Sequence, residues 1–356
     1  MMKFSAIAGL GLAMMAAMAC QSRAPSSGGV IARLPEPVSN NAVALIGDTA
    51  YSFAGLHKGK SWRDVTATAA ACDLAKGVCR ALPPLPDGIG RLAASAVVMN
   101  AKVYIFGGYS VAADGTEKST PQVWVFDPKR ESYARAPDMP VPVDDSVALG
   151  FARRYILLVS GWHDHDNVAL VQVLDTRDKR WFVSTAFPGA PVFGHAGAIS
   201  GNDMLICGGV RVAPPSAPVE KRTFVLSKAC WRGRVSADAR RIAWSALQKS
   251  APGSAYRRAA TALPGGRTGF YGGALNPYNY NGIGYDGVPS QALARIDIAS
   301  VRKDGTVTWR TRPAPPGMDF RGALFWHDAF VTVGGMGVDQ AVSADVRAVA
   351  VSGAAK

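Results

Sequence analysis

Between residues 91 and 140, apolar and polar positions alternate in short bursts instead of recurring at a helical period. Ala94-Ser95-Ala96-Val97-Val98-Met99 meets a turn at Asn100-Ala101, and Lys102-Val103-Tyr104-Ile105-Phe106 then ends on Gly107-Gly108. Runs of this length bounded by turn formers predict strands, and two joined by a tight turn predict a hairpin. After a loop, Val123-Trp124-Val125-Phe126-Asp127 predicts a third strand. Tyr133, six residues past Asp127, lies on a fourth that ends in Pro137-Asp138-Met139-Pro140. The unit is a four-stranded antiparallel sheet.

The same grammar recurs along the chain. A small-residue pair closes an apolar strand six times: Ala54-Gly55, Gly107-Gly108, Ser160-Gly161, Gly208-Gly209, Gly272-Gly273 and Gly334-Gly335. Their separations by subtraction are 53, 53, 48, 64 and 62 residues, close to a propeller-blade repeat of roughly 50 residues. An aromatic follows the third strand at Tyr133, Trp181, Trp244 and Trp309, and Cys79 takes its place in the first unit. In unit four the apolar run Thr223 to Leu226 is the candidate third strand. The sixth unit has one strand after its diglycine, Asp345 to Val351, and lacks a fourth. The segment Val30 to Pro37 resembles the ends of other fourth strands, so it is expected to complete that sheet and join the two ends of the chain.

Apolar hairpin, diglycine and spaced aromatic together resemble the Kelch repeat. The resemblance implies an all-β fold, a six-bladed Kelch-type β-propeller over residues 30–356. Within that superfamily the size and six-unit count are similar to the periplasmic N-acetylneuraminate epimerases, which are sialic acid mutarotases. This likeness implies an acid–base residue near an arginine that meets the sugar carboxylate, with Glu220 and Arg222 as candidates in unit four.

The N-terminus reads differently. Lys3 followed by the apolar run Phe4 to Ala17 predicts a secretory signal peptide over residues 1–19. Ala17-Met18-Ala19 before Cys20 fits ordinary small-residue cleavage and also resembles a bacterial lipoprotein signal, with Ala17 where that signal usually carries Leu. Cys20 is the expected lipidation site, and the polar stretch to Gly29 is a flexible tether. Periplasmic or outer-membrane-associated location follows, with the membrane reached through the lipid. Export permits disulfides, and spacing pairs Cys72 with Cys79 and Cys207 with Cys230, leaving Cys20 as the odd fifth cysteine.

Composition then narrows the partners. With 48% hydrophobic and 18% charged residues the chain has the material for a sizeable core. The formal charge of +13 comes from scattered basic residues, and export removes nucleic acid as a partner, so an anionic sugar or glycan is the expected ligand of a monomeric protein. Naming the strands a to d from the channel outward, the b-to-c and d-to-a loops share one face. That face collects Arg91, Trp162, His163, His195, Arg211, Arg257, Arg258 and Arg321, with Asn276, Tyr278, Asn279, Tyr280, Asn281 and Tyr285 from the fifth-unit loop. Guanidinium forks there suit a carboxylate, or else pair with acids between blades. Tyrosine faces and Asn amides suit a sugar, or else hold a self-packed loop. Arg258 joins Glu220 and Arg222 as a weak catalytic candidate if the chain is an epimerase. His163-Asp164-His165-Asp166 lacks a second cluster to complete a metal shell and reads as a polar loop tip, so neither metal nor cofactor is expected.

Overall fold

The computed structural model describes residues 28–213, 223–247, 251–278, 290–302 and 304–351. Six four-stranded antiparallel sheets form the ring. In strand order a to d, blade one is Ala42–Ile46, Thr49–Leu56, Val65–Asp73 and Val78–Leu82; blade two is Ser95–Met99, Lys102–Phe106, Val123–Asp127 and Ser132–Ala136. Blade three is Val147–Phe151, Tyr155–Val159, Val171–Asp175 and Arg180–Val183; blade four is Ala196–Ser200, Asp203–Cys207, Cys230–Val235 and Ile242–Ala246. Blade five is Ala259–Leu263, Arg267–Tyr271, Arg295–Val301 and Val307–Pro313; blade six is Leu324–Trp326, Ala329–Val333, Asp345–Ala350 and the N-terminal Gly29–Arg33.

Gly29–Arg33 is the outermost strand of blade six, antiparallel to Asp345–Ala350. The closure expected from Val30 to Pro37 is therefore present, and the first and last blades share one sheet. Each blade's apolar side chains meet those of the next. Six buried clusters lie between successive blades, such as Phe53 and Leu82 against Ile105 and Phe126, or Leu157 and Val173 against Met204 and Ile206.

The repeated small pair has a geometric cause. Both of its residues have positive φ in all six blades, including Ala54 at 57° and Ser160 at 52°. The second residue is always glycine, because a Cβ there would stand 2.5 Å from the Ser39 carbonyl oxygen in blade one and 2.7 Å from that of Asp144 in blade three. With the backbone turned this way, the second N–H donates to the approach loop of the next blade in five of the six blades. Gly55 reaches Arg91 O, Gly161 reaches Val192 O and Gly335 reaches Val38 O, each at 2.9 Å.

Both disulfides form where the strand register puts the cysteines opposite each other, Cys72 with Cys79 and Cys207 with Cys230. The third strand of blade four differs from expectation, being Cys230–Val235 instead of Thr223 to Leu226. Phe224–Leu226 instead pairs with Val210–Val212 in a separate two-stranded ribbon. The apolar triplet belongs to a hairpin grown from the loop, and the Cys207–Cys230 bridge joins strands b and c directly.

Gly161→Ala adds a Cβ against the Asp144 carbonyl at φ 122°, and it is expected to cost about 2 kcal/mol or more. Gly201→Ala, where nothing lies within 4 Å, should cost about 1 kcal/mol. Urea titration of both variants checks the difference; equal losses would rule out the close approach as the cause.

Candidate functional site

The d-to-a approach loop of every blade bears a left-handed residue shortly before strand a: Asn40, Ala93, Asp145, Gly194, Arg257 and Asp319. Their backbones close a ring across the blades. Ala93 N–H donates to Asn40 O, Asp145 to Ala93, Gly194 to Asp145, Arg257 to Gly194, Phe320 to Arg257 and Asn40 to Asp319, at 2.7 to 3.3 Å. The six loops are thereby held at one level on the axis.

Within this layer the charged side chains pair with one another. Arg257 Nη2 lies 2.7 Å from Asp145 Oδ2 and Nη1 lies 3.1 Å from Asp319 Oδ1. Arg321 bonds Asp145 Oδ1 at 2.5 Å and Ser146 O at 2.9 Å, so it joins blade six to blade three opposite. Tyr278 Oη donates to Asp319 Oδ1 at 3.2 Å. Two guanidiniums thus meet two carboxylates, which is what charges this deeply buried require. Burial alone would push the Asp145 carboxyl up, but Arg257 and Arg321 outweigh it and hold it below the usual range. Asp144 shows the reverse. Burial and the neighbouring Asp145 charge push it well above that range, while Ser119 Oγ donates to its Oδ2 at 2.6 Å.

Above the ion pairs lies an apolar lid. Leu56, Leu92, Tyr109, Phe193, Tyr256, Tyr278, Met318 and Met336 form one buried cluster drawn from five blades, and Trp162 of blade three packs against it. Aromatic rings run through it from Trp162 to Phe193, Tyr256 and Tyr278 at centroid spacings of 5.0 to 5.7 Å, and Arg257 stacks beneath Tyr256 and Tyr278. The channel is closed at this face.

That closure corrects the picture of guanidinium forks converging on an open mouth. Arg91 is 1% exposed and bonds Asp87 and Thr120; Arg258 is 2% exposed and bonds Asp297, Pro252 O and Phe270 O. Burial lowers Arg258 to about 10, with Asp297 opposing. Together with Arg257 and Arg321, these arginines are paired inside the fold: Arg257 and Arg321 meet acids between blades, as in the second reading, whereas Arg91 meets Asp87 of its own loop and Arg258 meets Asp297 of its own blade. His195 is likewise buried, with Nε2 2.8 Å from Val159 O; burial and the Arg321 charge bring it down to about 4, so the ring is neutral. Tyr278 belongs to the lid, and Asn276 accepts a 2.8 Å bond from Ser290 Oγ. Glu220, Arg222, Asn279, Tyr280, Asn281, Tyr285 and Cys20 lie outside the described residues.

Around the lid, three b-to-c loops form two-stranded ribbons: Tyr109–Val111 with Glu117–Ser119, Trp162–His163 with Asp166–Asn167, and Val210–Val212 with Phe224–Leu226. They are stitched together. Ser119 N–H donates to Asp164 Oδ1 at 2.9 Å, and Ser119 Oγ accepts from Asp164 N at 3.1 Å. Asn167 accepts from Val212 N and donates to Val210 O. His163 and Arg211 are part-exposed on this rim, and Arg211 makes no ion pair among the described residues. Sequence reasoning placed Arg211 on this face without separating it from the buried arginines; its position inside a hairpin, beyond the diglycine, was the available signal. Glu117, also missed, keeps solvent contact on its ribbon, yet desolvation by the surrounding loops pushes its carboxyl above the ordinary range, against the pull of Arg257. No cluster of three His, Cys, Asp or Glu side chains among the described residues is disposed to hold a metal.

Comparison with known proteins agrees with this architecture. A family profile described as "Kelch motif" matches residues 90–140, which is blade two with its approach loop. Kelch-like protein 15 of Gallus gallus is 27% identical over 122 residues, 34% of this chain and 25% of that relative. Beta-scruin of Limulus polyphemus is 30% identical over 146 residues, 40% of this chain and 16% of the relative. The matches therefore span a quarter or less of these relatives' own lengths. A solved structure titled "Structure of YjhT" superposes with a TM-score of 0.71 at 16% identity, covering 91% of this chain and 97% of that one. At such identity the likeness is one of fold.

His195 supplies a pH test of the buried layer. Its folded pKa of about 4 lies below the ordinary 6.5, so the unfolded chain binds its proton first, and stability present above pH 6.5 is lost as pH falls toward 4. The loss should approach about 3 kcal/mol. In His195→Gln, which keeps a donor for Val159 O, denaturant titrations at pH 7 and 4.5 should show a smaller drop than in the wild type. An unchanged drop would place the sensitivity elsewhere.

Proposed function

The chain belongs to the Kelch-repeat β-propeller family, and from that premise we propose that it is a ligand-binding module for an anionic sugar or glycan, held at the ribbon rim of the loop face. One observation carries the reading. Among three hydrogen-bonded ribbons, Arg211 is a part-exposed guanidinium with no ion pair among the described residues, while the arginines beneath the lid are spent. A guanidinium held in a rigid hairpin binds a carboxylate with little ordering cost. Part-exposed Trp62 and His163 add an aromatic edge and a polar neighbour on the same face.

Export with a lipid on Cys20 belongs to the same proposal. The two disulfides use four of the five cysteines, which supports an oxidising compartment and leaves Cys20 over. Intact mass of the mature protein should show cleavage before Cys20, an added acyl mass and two disulfides. A chain still carrying residues 1–19 would refute export, and a cleaved chain without acyl mass would refute the anchor.

A second reading, a cofactor-independent mutarotase of sialic-acid-type sugars, is favoured by Glu117, a rim carboxyl that desolvation raises above its ordinary range and so suits to a proton-transfer role. One set of titrations separates the two. Sialic or uronic acids should raise the melting temperature, and Arg211→Ala should weaken their binding about tenfold with neutral sugars unaffected. If no acidic sugar shifts the melting temperature, both readings fail. NMR anomer exchange accelerated by the wild type and lost in Glu117→Gln would make it an enzyme; exchange at the uncatalysed rate leaves the binder.

A further inference from the structure

A second basic feature lies away from the loop face, on the flank of blade five. Register fixes it. Strand d pairs with strand c so that Arg310 lies opposite Ile298, Arg312 opposite Ile296 and Thr308 opposite Ser300, while Arg267 of strand b lies opposite Ser300 from the other side. Side chains two apart on a strand share a face, so Arg310, Arg312 and Thr308 stand together, with Ser300 and Arg267 on the same side of the sheet. These residues and Val351 line a cavity of about 530 Å³.

Its chemistry is one-sided. No acidic side chain lines the cavity, and none of the three arginines enters an ion pair among the described residues, whereas Arg258 and Arg295 of the same blade both meet Asp297. Arg267 donates from Nε to Pro264 O and Arg312 from Nη1 to Val351 O. Each of these bonds orients a guanidinium while leaving its other N–H groups open. Arg310 is exposed. Three like charges on one rigid sheet face repel one another, so the arrangement costs stability without an anion between them.

We propose that this groove is a binding site for a multiply charged oxyanion of the phosphate or sulfate class, separate from the loop-face rim. The guanidiniums provide several N–H donors in fork geometry and the Ser300 and Thr308 hydroxyls add two more, the donor set that tetrahedral oxyanions use. The anion is either a free solute or the headgroup of an anionic lipid, and the recognition chemistry is common to both.

Inorganic pyrophosphate, titrated calorimetrically into the whole protein at low salt, tests the site. Saturable binding is expected, weakened at least tenfold by Arg310→Glu and by Arg312→Ser, reduced by added salt and unchanged by Arg211→Ala. Because Arg310 is exposed and its replacement relieves the repulsion, the variant should melt no lower than the wild type, which separates lost binding from lost folding. Co-sedimentation with vesicles of phosphatidylglycerol against pure phosphatidylcholine identifies the source. Arg310-dependent binding to the anionic vesicles alone assigns the groove to a headgroup, and Arg310-dependent pyrophosphate binding assigns it to a soluble anion. Absence of binding in both arms, or binding that survives Arg310→Glu, overturns the proposal. An Arg211→Ala variant that loses acidic-sugar binding and keeps pyrophosphate binding shows that the two sites stand or fall separately.

Discussion

The ring rests on a backbone conformation, two consecutive left-handed residues at the end of every strand b. This turn carries the chain beneath the carbonyl of its own approach loop, too close for a Cβ at the second position. It also aims an N–H at the next blade. One local constraint therefore ends the strand, starts the b-to-c loop and sets the spacing between blades. Ala54 and Ser160 show where it relaxes: the first position accepts a small side chain, and the Ser160 hydroxyl donates to the carbonyl oxygens of Val168 and Val192. The six apolar clusters between blades contribute most of the burial, but they align only because the turns place successive sheets at one level.

At the loop face the same periodicity brings six left-handed approach residues to the axis, and here the repeat stops being symmetric. Alanine and glycine at positions 93 and 194 leave room, and Asp145, Arg257 and Asp319 fill it with a neutralised charge network beneath the aromatic lid. Low dielectric makes each unpaired charge costly, so removing any one member exposes the others. The stability of this centre and the closure of the channel are one property. Guanidiniums that stay accessible lie elsewhere, on the ribbon rim at Arg211 and on the flank of blade five.

Much of this was legible along the chain. The period, the four-strand grammar, the closing strand near Val30 and both cysteine pairs follow from patterns within or between neighbouring units, where two-residue alternation and turn residues leave few alternatives. The misplaced third strand of blade four shows the limit: Phe224–Leu226 has strand chemistry, but its partner is the ribbon at Val210–Val212 instead of the blade. Local preference marks a strand and does not choose its neighbour.

The loop-face arginines mark the same boundary more sharply. Sequence alone determined that Arg91, Arg257, Arg258 and Arg321 gather near blade starts, because topology carries every approach loop to one face. Only the tertiary structure decided that Arg257 and Arg321 share Asp145 across the channel while Arg211 stays part-exposed. A guanidinium carries the same charge whether it faces water or a carboxylate from a blade more than 100 residues away. What distinguishes the two is burial and the partner, and both are set by how the ring closes.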